Sequence, residues 1–112
     1  MKVHNYKTSG GKDLIYNYID KLSADEKADG YSVIEKIVDD KMDELRIEHW
    51  QGKIYEIYFH KHNRIFYVAS DDINIYLLHA CRKQKNKTER KDSKIVIKRA
   101  RELGEQLSKK FI

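Results

Sequence analysis

The sequence predicts one α+β domain over residues 1–112, with the order β-α-α-β-β-β-α. A helix hairpin and a C-terminal helix are expected to pack on a mainly antiparallel sheet. Apolar residues recur at helical spacing near both ends of the chain, and alternating or continuous apolar runs fill the middle. The predicted strands in the middle are joined by turns too short for a parallel crossover, so neighbouring strands must run antiparallel.

The first elements are a short strand and two helices. The segment KVHNYK, residues 2–7, alternates weakly and predicts a strand. A stripe that begins after Lys12 predicts a helix of about three turns, ending at Ser23. The segment SADE has the form of a capping box, in which Ser23 and Glu26 bond each other's backbone, so a second helix should run to about Asp40.

Three strands follow an acidic connection. KIYEIYFH, residues 53–60, places Tyr55, Ile57 and Phe59 on one face and Glu56 and Tyr58 on the other. RIFYVA, residues 64–69, is the next strand. INIYLLHA, residues 73–80, is a nearly continuous apolar run, typical of a strand covered on both faces.

The last element is a helix with one apolar and one basic side. Thr88 is expected to cap a helix that begins at Glu89. One stripe should dock on the sheet: Val96, Ala100, Leu103, Leu107 and Phe111. About opposite it lie Lys91, Lys94, Lys98 and Arg101. CRKQKNK, residues 81–87, is left as a basic loop between strand and helix.

Positive charge is concentrated in this part of the chain. Residues 82–101 hold ten Lys or Arg and two acids, whereas residues 1–81 have a net charge of −3. Such a local field favours polyanions, and binding to phosphates should depend strongly on salt. The predicted RNA-binding residues are Arg82, Lys85, Lys87, Arg90, Lys91, Lys94 and Lys98. The alternative is a solvated charged face.

Polar residues on the predicted sheet suggest chemistry. Glu56 and Tyr58 share a strand face, Arg64 opens the adjacent strand at an exposed position, and His79 lies near the end of the third. Cleavage of RNA by its own 2′-hydroxyl needs a base, an acid and fixed cations, which such side chains supply. The alternative is a surface face with ion pairs. No cofactor or metal is expected, since His60 and His62 share a side only if the strand continues through their turn.

Cellular location is indicated by two further features. The single cysteine, Cys81, allows no internal disulfide. The N-terminal segment lacks the apolar stretch of a secretory signal, and no run of residues is apolar enough to span a membrane. We therefore expect a cytoplasmic protein without membrane contact.

Four segments together resemble the RelE/ParE toxin superfamily, and are similar to its phage-derived HigB-type branch. They lie between about residues 50 and 102 and are WQGKIYEIYF, NRIFYV, IYLLHACRKQKNKTERK and IVIKRARE. The residues that fall on motif positions are Glu56, Arg64, His79, Arg82, Lys83, Lys85 and Lys87. Tyr58 stands where the branch usually has Arg, which removes a phosphate-binding cation and adds either a proton-transfer group or a stacking ring.

The resemblance implies a RelE-like fold and the toxin of a type II toxin–antitoxin pair. Such a toxin would be a metal-independent, ribosome-dependent mRNA endoribonuclease, and its partners would be the ribosome, mRNA and a helix-turn-helix antitoxin of HigA type. Operator DNA would be bound only through the antitoxin. Arg64 and Lys83, with Lys85 and Lys87, would hold phosphate, while His79 and Tyr58 are candidates for proton transfer. A ParE-like gyrase poison and a non-catalytic nucleic-acid-binding module remain the alternatives.

Overall fold

A computed structural model describes residues 1–83 and 88–112 of the chain. Its strands are β1 (Lys2–Asn5), β2 (Arg46–Gln51), β3 (Ile54–Phe59), β4 (Asn63–Ala69) and β5 (Asn74–Arg82). Its α-helices are α1 (Leu14–Asp20), α2 (Ala24–Val38) and α3 (Arg90–Leu107), and a short 3₁₀ helix spans Met42–Glu44. In the part of the chain so described, no helix has the length and apolar character needed to cross a lipid bilayer.

The strands form one sheet in the order β1-β5-β4-β3-β2. The meander from β2 to β5 is antiparallel, as predicted for its last three strands, and β1 pairs in parallel with β5. The α+β class and the mainly antiparallel sheet are thus confirmed. The arrangement is compatible with a RelE-like fold.

Each face of the sheet carries its own apolar core. On one face the helix hairpin packs through Ile15, Ile19 and Ile37 against Ile57 and Ile65. On the other face the buried residues are Ile54, Phe66, Val68, Leu78, Val96, Ala100, Leu103 and Phe111. The alternation predicted for β3 is confirmed, because Ile57 and Phe59 face the hairpin while Glu56 and Tyr58 lie on the face of α3. The sheet is therefore the middle of three layers.

Strand β2 was not predicted, since its residues were assigned to the acidic connection. Only Ile47 and Trp50 are apolar and partly buried, and the pairing with β3 is irregular between His49 and Gln51. An edge strand pairs on one side only and tolerates charged residues, so its apolar pattern is weak. This strand nevertheless brings Arg46 and Glu48 to the polar face of the sheet.

The predicted start of α2 at Ser23 is confirmed, but its capping box and the length predicted for α1 were wrong. Helix α1 begins at Leu14 because Asp13 caps it: Asp13 Oδ1 accepts from the backbone N–H groups of Ile15 and Tyr16 at 3.0 and 2.9 Å. The helix ends at Asp20, before the predicted end at Ser23. Ser23 is the N-cap of α2, yet its side chain makes no capping bond. Glu26 does not complete the capping box, because its Oε2 accepts from Arg82 at 2.7 Å instead.

The last helix begins and ends differently from the prediction. Glu89 rather than Thr88 is the N-cap, and the buried hydroxyl of Thr88 has no hydrogen-bond partner among the described residues. The helix ends at Leu107, and the left-handed backbone of Ser108 turns the chain back. Phe111 lies beyond this turn but still reaches the predicted core, where it is 3% exposed. The C-terminal segment, rather than the helix, therefore supplies this core residue.

Gly52 allows the C-terminal segment to lie directly against the turn between β2 and β3. Its φ is +52°, and a Cβ atom there would lie 2.5 Å from the carbonyl oxygen of Phe111. The neighbouring Lys53 N–H donates to the same carbonyl at 2.7 Å. A side chain at residue 52 would therefore meet backbone that the fold already uses.

Gly52→Ala should destabilise the fold by about 3 kcal/mol, because it adds a backbone clash to the cost of a left-handed alanine. Gly11→Ala is the matched control, since Gly11 has a φ of +89° with no atom within 4 Å of its Cβ position. The control should cost only about 1 kcal/mol. Urea unfolding measures both values. Equal losses in the two variants would show that the contact with Phe111 is unimportant.

Candidate active site

Two adjacent rows of paired residues cross the sheet on the face of α3. The first row runs across β2, β3, β4 and β5, and its successive members are Arg46, Tyr58, Arg64 and Cys81. Two residues further along, Glu48 pairs with Glu56, and Phe66 pairs with His79. Directly paired residues project to the same face. The sheet therefore gathers Glu56, Tyr58 and Arg64 as predicted, and adds Arg46 and Glu48.

Glu56 and Arg64 form a buried ion pair at the centre of this site. Arg64 Nη1 donates to Glu56 Oε1 at 2.6 Å, and the two residues are 8% and 4% exposed. The hydroxyl of Tyr58 donates to the other oxygen, Oε2, at 3.1 Å. The expectation that Arg64 lies at an exposed strand face was thus wrong. Removing Arg64 would leave a buried carboxylate without its counter-charge, so Arg64→Ala tests the fold as well as the chemistry.

Arg64 retains unused donor capacity. Its Nε–H is buried and has no hydrogen-bond acceptor among the described residues. Buried donors without partners are uncommon in folded proteins and call for an explanation. A guanidinium that bonds a carboxylate through one nitrogen and has N–H groups without acceptors can bind an additional anion.

Lys83 lies beside this pair, just after β5. It is 8% exposed, and its backbone N–H donates to the carbonyl of His62 at 2.7 Å. Burial and the positive charge of Arg64 lower the pKa of Lys83 below its ordinary value of 10.5, against a smaller opposing effect of Glu56. At a given pH, a larger fraction of Lys83 is therefore neutral than of an exposed lysine. A lysine must be neutral before it can accept a proton as a base.

The ring of Tyr58 contacts two arginines. The guanidinium carbons of Arg64 and Arg46 lie 4.1 and 4.3 Å from the ring centre. Burial, a hydrogen bond to Glu48 and the charge of Glu56 raise the pKa of Tyr58. The hydroxyl therefore keeps its proton and can act as a donor, but not as the base.

His79 is bonded to α3 through both ring nitrogens. Its Nε2 is 2.8 Å from Asp92 Oδ1, and Arg99 Nη1 is 3.3 Å from its Nδ1. Because arginine can only donate, Nδ1 accepts and the proton resides on Nε2. Burial lowers the pKa of His79, although the hydrogen bond to Asp92 opposes this. His79 is thus a neutral residue that fastens the helix to β5, one row away from Arg64.

Metal ligands are brought together at one place among the described residues. The potential ligand atoms of His79, Cys81 and Asp92 lie within 4.8 Å of one another. Burial raises the pKa of the Cys81 thiol to about 12, and the proton on Nε2 of His79 points to Asp92. Both features favour hydrogen bonding over metal coordination. Of the two histidines that the sequence offered as metal ligands, His60 instead bonds a carboxylate: its Nδ1 lies 2.7 Å from Asp29 Oδ2.

The predicted RNA-binding residues are divided between different surfaces. Arg82 bonds Glu26 of the hairpin, which packs on the opposite face of the sheet from Glu56. Lys85 and Lys87 lie outside the described residues. The predicted residues on α3, Arg90, Lys91, Lys94 and Lys98, are exposed, and none of them forms a salt bridge within residues 1–83 and 88–112.

A groove connects this basic helix to the end of β5. Lys91 lines it together with His79, Cys81 and Arg82. The same groove is lined by Glu89 and Asp92, so the start of α3 and the end of β5 meet in a groove of mixed charge. An extended polyanion along the helix would reach the end of the sheet where the polar rows lie.

Sequence reasoning missed Arg46 and Glu48 because it missed β2. The available signal was the short alternation around Ile47 in RIEHW, in which charged residues flank one apolar residue. Five residues are too few to distinguish an edge strand from a polar connection.

Comparison with known proteins identifies the family. A model of the protein family described as "Phage derived protein Gp49-like (DUF891)" matches residues 16–101, which is more than half of the chain. A search of curated proteins finds no match. The matched region includes both polar rows and most of α3. The chain therefore belongs to the Gp49-like family of phage-derived proteins, a family of RelE/ParE-like toxins.

Proposed function

We propose that this protein is the toxin of a type II toxin–antitoxin pair, of HigB type, and that it cleaves mRNA on the ribosome. The observation that carries the proposal is the cluster of buried Glu56, Arg64 and Lys83 with the half-buried Tyr58, beside an exposed basic helix. Membership of a RelE/ParE-like toxin family supports it. A helix-turn-helix antitoxin of HigA type would silence the toxin.

Substrate binding would depend on phosphate contacts. Arg90, Lys91, Lys94 and Lys98 present four exposed cations on one helix, which suits the backbone of RNA. Such contacts carry no sequence information, so they would hold the strand without selecting a codon. The ribosome would present mRNA to the polar rows at the end of the sheet.

Cleavage would use the neighbouring 2′-hydroxyl as the nucleophile. The neutral amine of Lys83 takes the proton of this hydroxyl as its oxygen bonds to phosphorus, and the bond from phosphorus to the 5′ oxygen breaks. The products are a 2′,3′-cyclic phosphate and a 5′-hydroxyl. Tyr58 supplies a proton to the leaving oxygen, because a ribose alkoxide is a much stronger base than a phenolate.

Arg64 would stabilise the charge that develops on the phosphate. Glu56 fixes the guanidinium in place before the substrate arrives, so no reorganisation is required during the reaction. His79 would act indirectly, since it holds Asp92 and therefore the start of α3 against β5. This role differs from the proton transfer suggested for His79 by sequence reasoning.

Induction of the protein alone should stop growth by halting translation. Pulse labelling after induction should show early loss of methionine incorporation while thymidine incorporation continues. The Lys83→Arg variant, expressed to the same level, is the control and should leave both rates close to those of uninduced cells. Early loss of thymidine incorporation, or unimpaired growth, would contradict the proposed function.

The rate of cleavage should rise with pH if Lys83 is the base. Below the pKa of Lys83 the rate should increase about tenfold per pH unit, and it should level off above that pKa. The lowered pKa of Lys83 places the plateau below the 10.5 of an ordinary lysine. Lys83→Arg keeps the charge but cannot lose its proton, so it should cost about 10²-fold or more and abolish the rise.

Single-turnover cleavage of ribosome-bound mRNA over a range of pH measures this dependence. Lys91→Arg is the matched control, because Lys91 is an exposed lysine of α3 and should tolerate the exchange. A Lys83→Arg variant with the rate and pH profile of the wild type would remove Lys83 as the base. A wild-type rate that falls with rising pH would assign it the opposite role, that of an acid.

A further inference from the structure

We propose that Arg46 is a second phosphate-binding residue of this site and that the ring of Tyr58 positions it. The inference rests on the proposed function, because it adds a residue to the same RNA site. It concerns an arginine on β2, a strand that the sequence did not predict. Three observations support it: the position of Arg46 in the sheet, its contact with Tyr58 and its exposure.

The register of the sheet places Arg46 and Arg64 on either side of one residue. Arg46 pairs with Tyr58 from β2, and Arg64 pairs with Tyr58 from β4. Their guanidinium carbons lie 4.3 and 4.1 Å from the centre of the same ring. The ring of Tyr58 thus contacts two like charges, one from each neighbouring strand, because an aromatic ring attracts cations.

The two arginines differ in how firmly they are held. Arg64 is buried and bonded to Glu56 at 2.6 Å. The side chain of Arg46 is 69% exposed, and its partner Glu48 is 3.7 Å away and 51% exposed. An exposed pair of this kind contributes little to stability, so Arg46 can exchange Glu48 for a phosphate at small cost. Arg64 is the fixed cation of the site, and Arg46 is the accessible one.

A second cation at this point would also compensate for Tyr58, which stands where the toxins that the sequence resembles usually have arginine. Arg46 restores a guanidinium to the row, displaced from β3 to the adjacent strand. A phosphate that contacts both guanidinium groups gains charge-assisted hydrogen bonds from each. Arg46 would therefore strengthen substrate binding and share the stabilisation of the developing charge with Arg64.

The test uses a 2′-O-methyl RNA trinucleotide, which cannot be cleaved because it lacks the attacking hydroxyl. NMR titration of the full chain measures its Kd. Arg46→Ala should raise the Kd about tenfold, and Arg46→Lys should recover part of the loss because the charge returns. Lys53→Ala is the matched control, since Lys53 is an exposed cation at the other end of the same hairpin.

The role of the ring is tested in the same titration. Tyr58→Phe keeps the ring and should leave the Kd unchanged, whereas Tyr58→Leu should raise it about as much as Arg46→Ala does. Adding Arg46→Ala to Tyr58→Leu should raise the Kd little further, because both changes remove the same contact between Arg46 and the ring of Tyr58. A fully additive double variant would overturn the positioning role of Tyr58.

Cleavage of ribosome-bound mRNA separates this inference from the function on which it rests. Arg46→Ala should lower the single-turnover rate by about 10²-fold, with Lys53→Ala at the wild-type rate. Trinucleotide binding that depends on Arg46, in a wild-type protein that cleaves nothing, would leave the Arg46 site standing and refute the RNase. Wild-type Kd and wild-type rate in Arg46→Ala would refute the Arg46 site. Failure of the wild-type protein to bind the trinucleotide would refute it as well.

Discussion

The arrangement of the polar face depends on the buried ion pair between Glu56 and Arg64. Glu56 and Arg64 are only 4% and 8% exposed, and burying a charge is costly. Each charge offsets the cost of the other only while the register of β3 and β4 keeps them paired. A shift of one residue between the two strands would send one of these side chains to the opposite face, against the apolar helix hairpin, and would separate the two charges. The pair therefore fixes the register and the direction of the guanidinium together. It also leaves Glu56 Oε2 available to the hydroxyl of Tyr58.

The surrounding layers protect this arrangement and give it access to a substrate. Helix α3 covers the apolar part of the face, and His79, Asp92 and Arg99 fasten it to β5. Its exposed cations continue the positive field beyond the sheet. Lys83 follows the end of β5, and its burial there lowers its pKa. One end of the sheet thus combines a fixed cation, a lysine with a displaced pKa and a surface suited to phosphates.

Much of the fold follows from patterns in the sequence, because apolar periodicity records which face of an element is buried. The faces of β3 and the apolar side of α3 were predicted in this way. Features decided by tertiary contacts were not: Glu26 bonds Arg82 instead of capping α2, and Phe111 reaches the core after the helix has ended. The site was predicted in part. Glu56, Tyr58 and Arg64 share a face of the sheet as expected. The burial of Arg64 depends on neighbouring strands, and Arg46 lies on an edge strand with little apolar signal, so neither could be read from the sequence.

The central claim is that a guanidinium held by Glu56 stabilises the phosphate during cleavage. Single-turnover cleavage of ribosome-bound mRNA by Arg64→Lys tests it most directly, because this variant keeps the counter-charge of Glu56 but loses the planar donor group. We predict a loss of about 10²-fold in rate with an unchanged circular dichroism spectrum. A folded Arg64→Lys variant that cleaves at the wild-type rate would contradict the account.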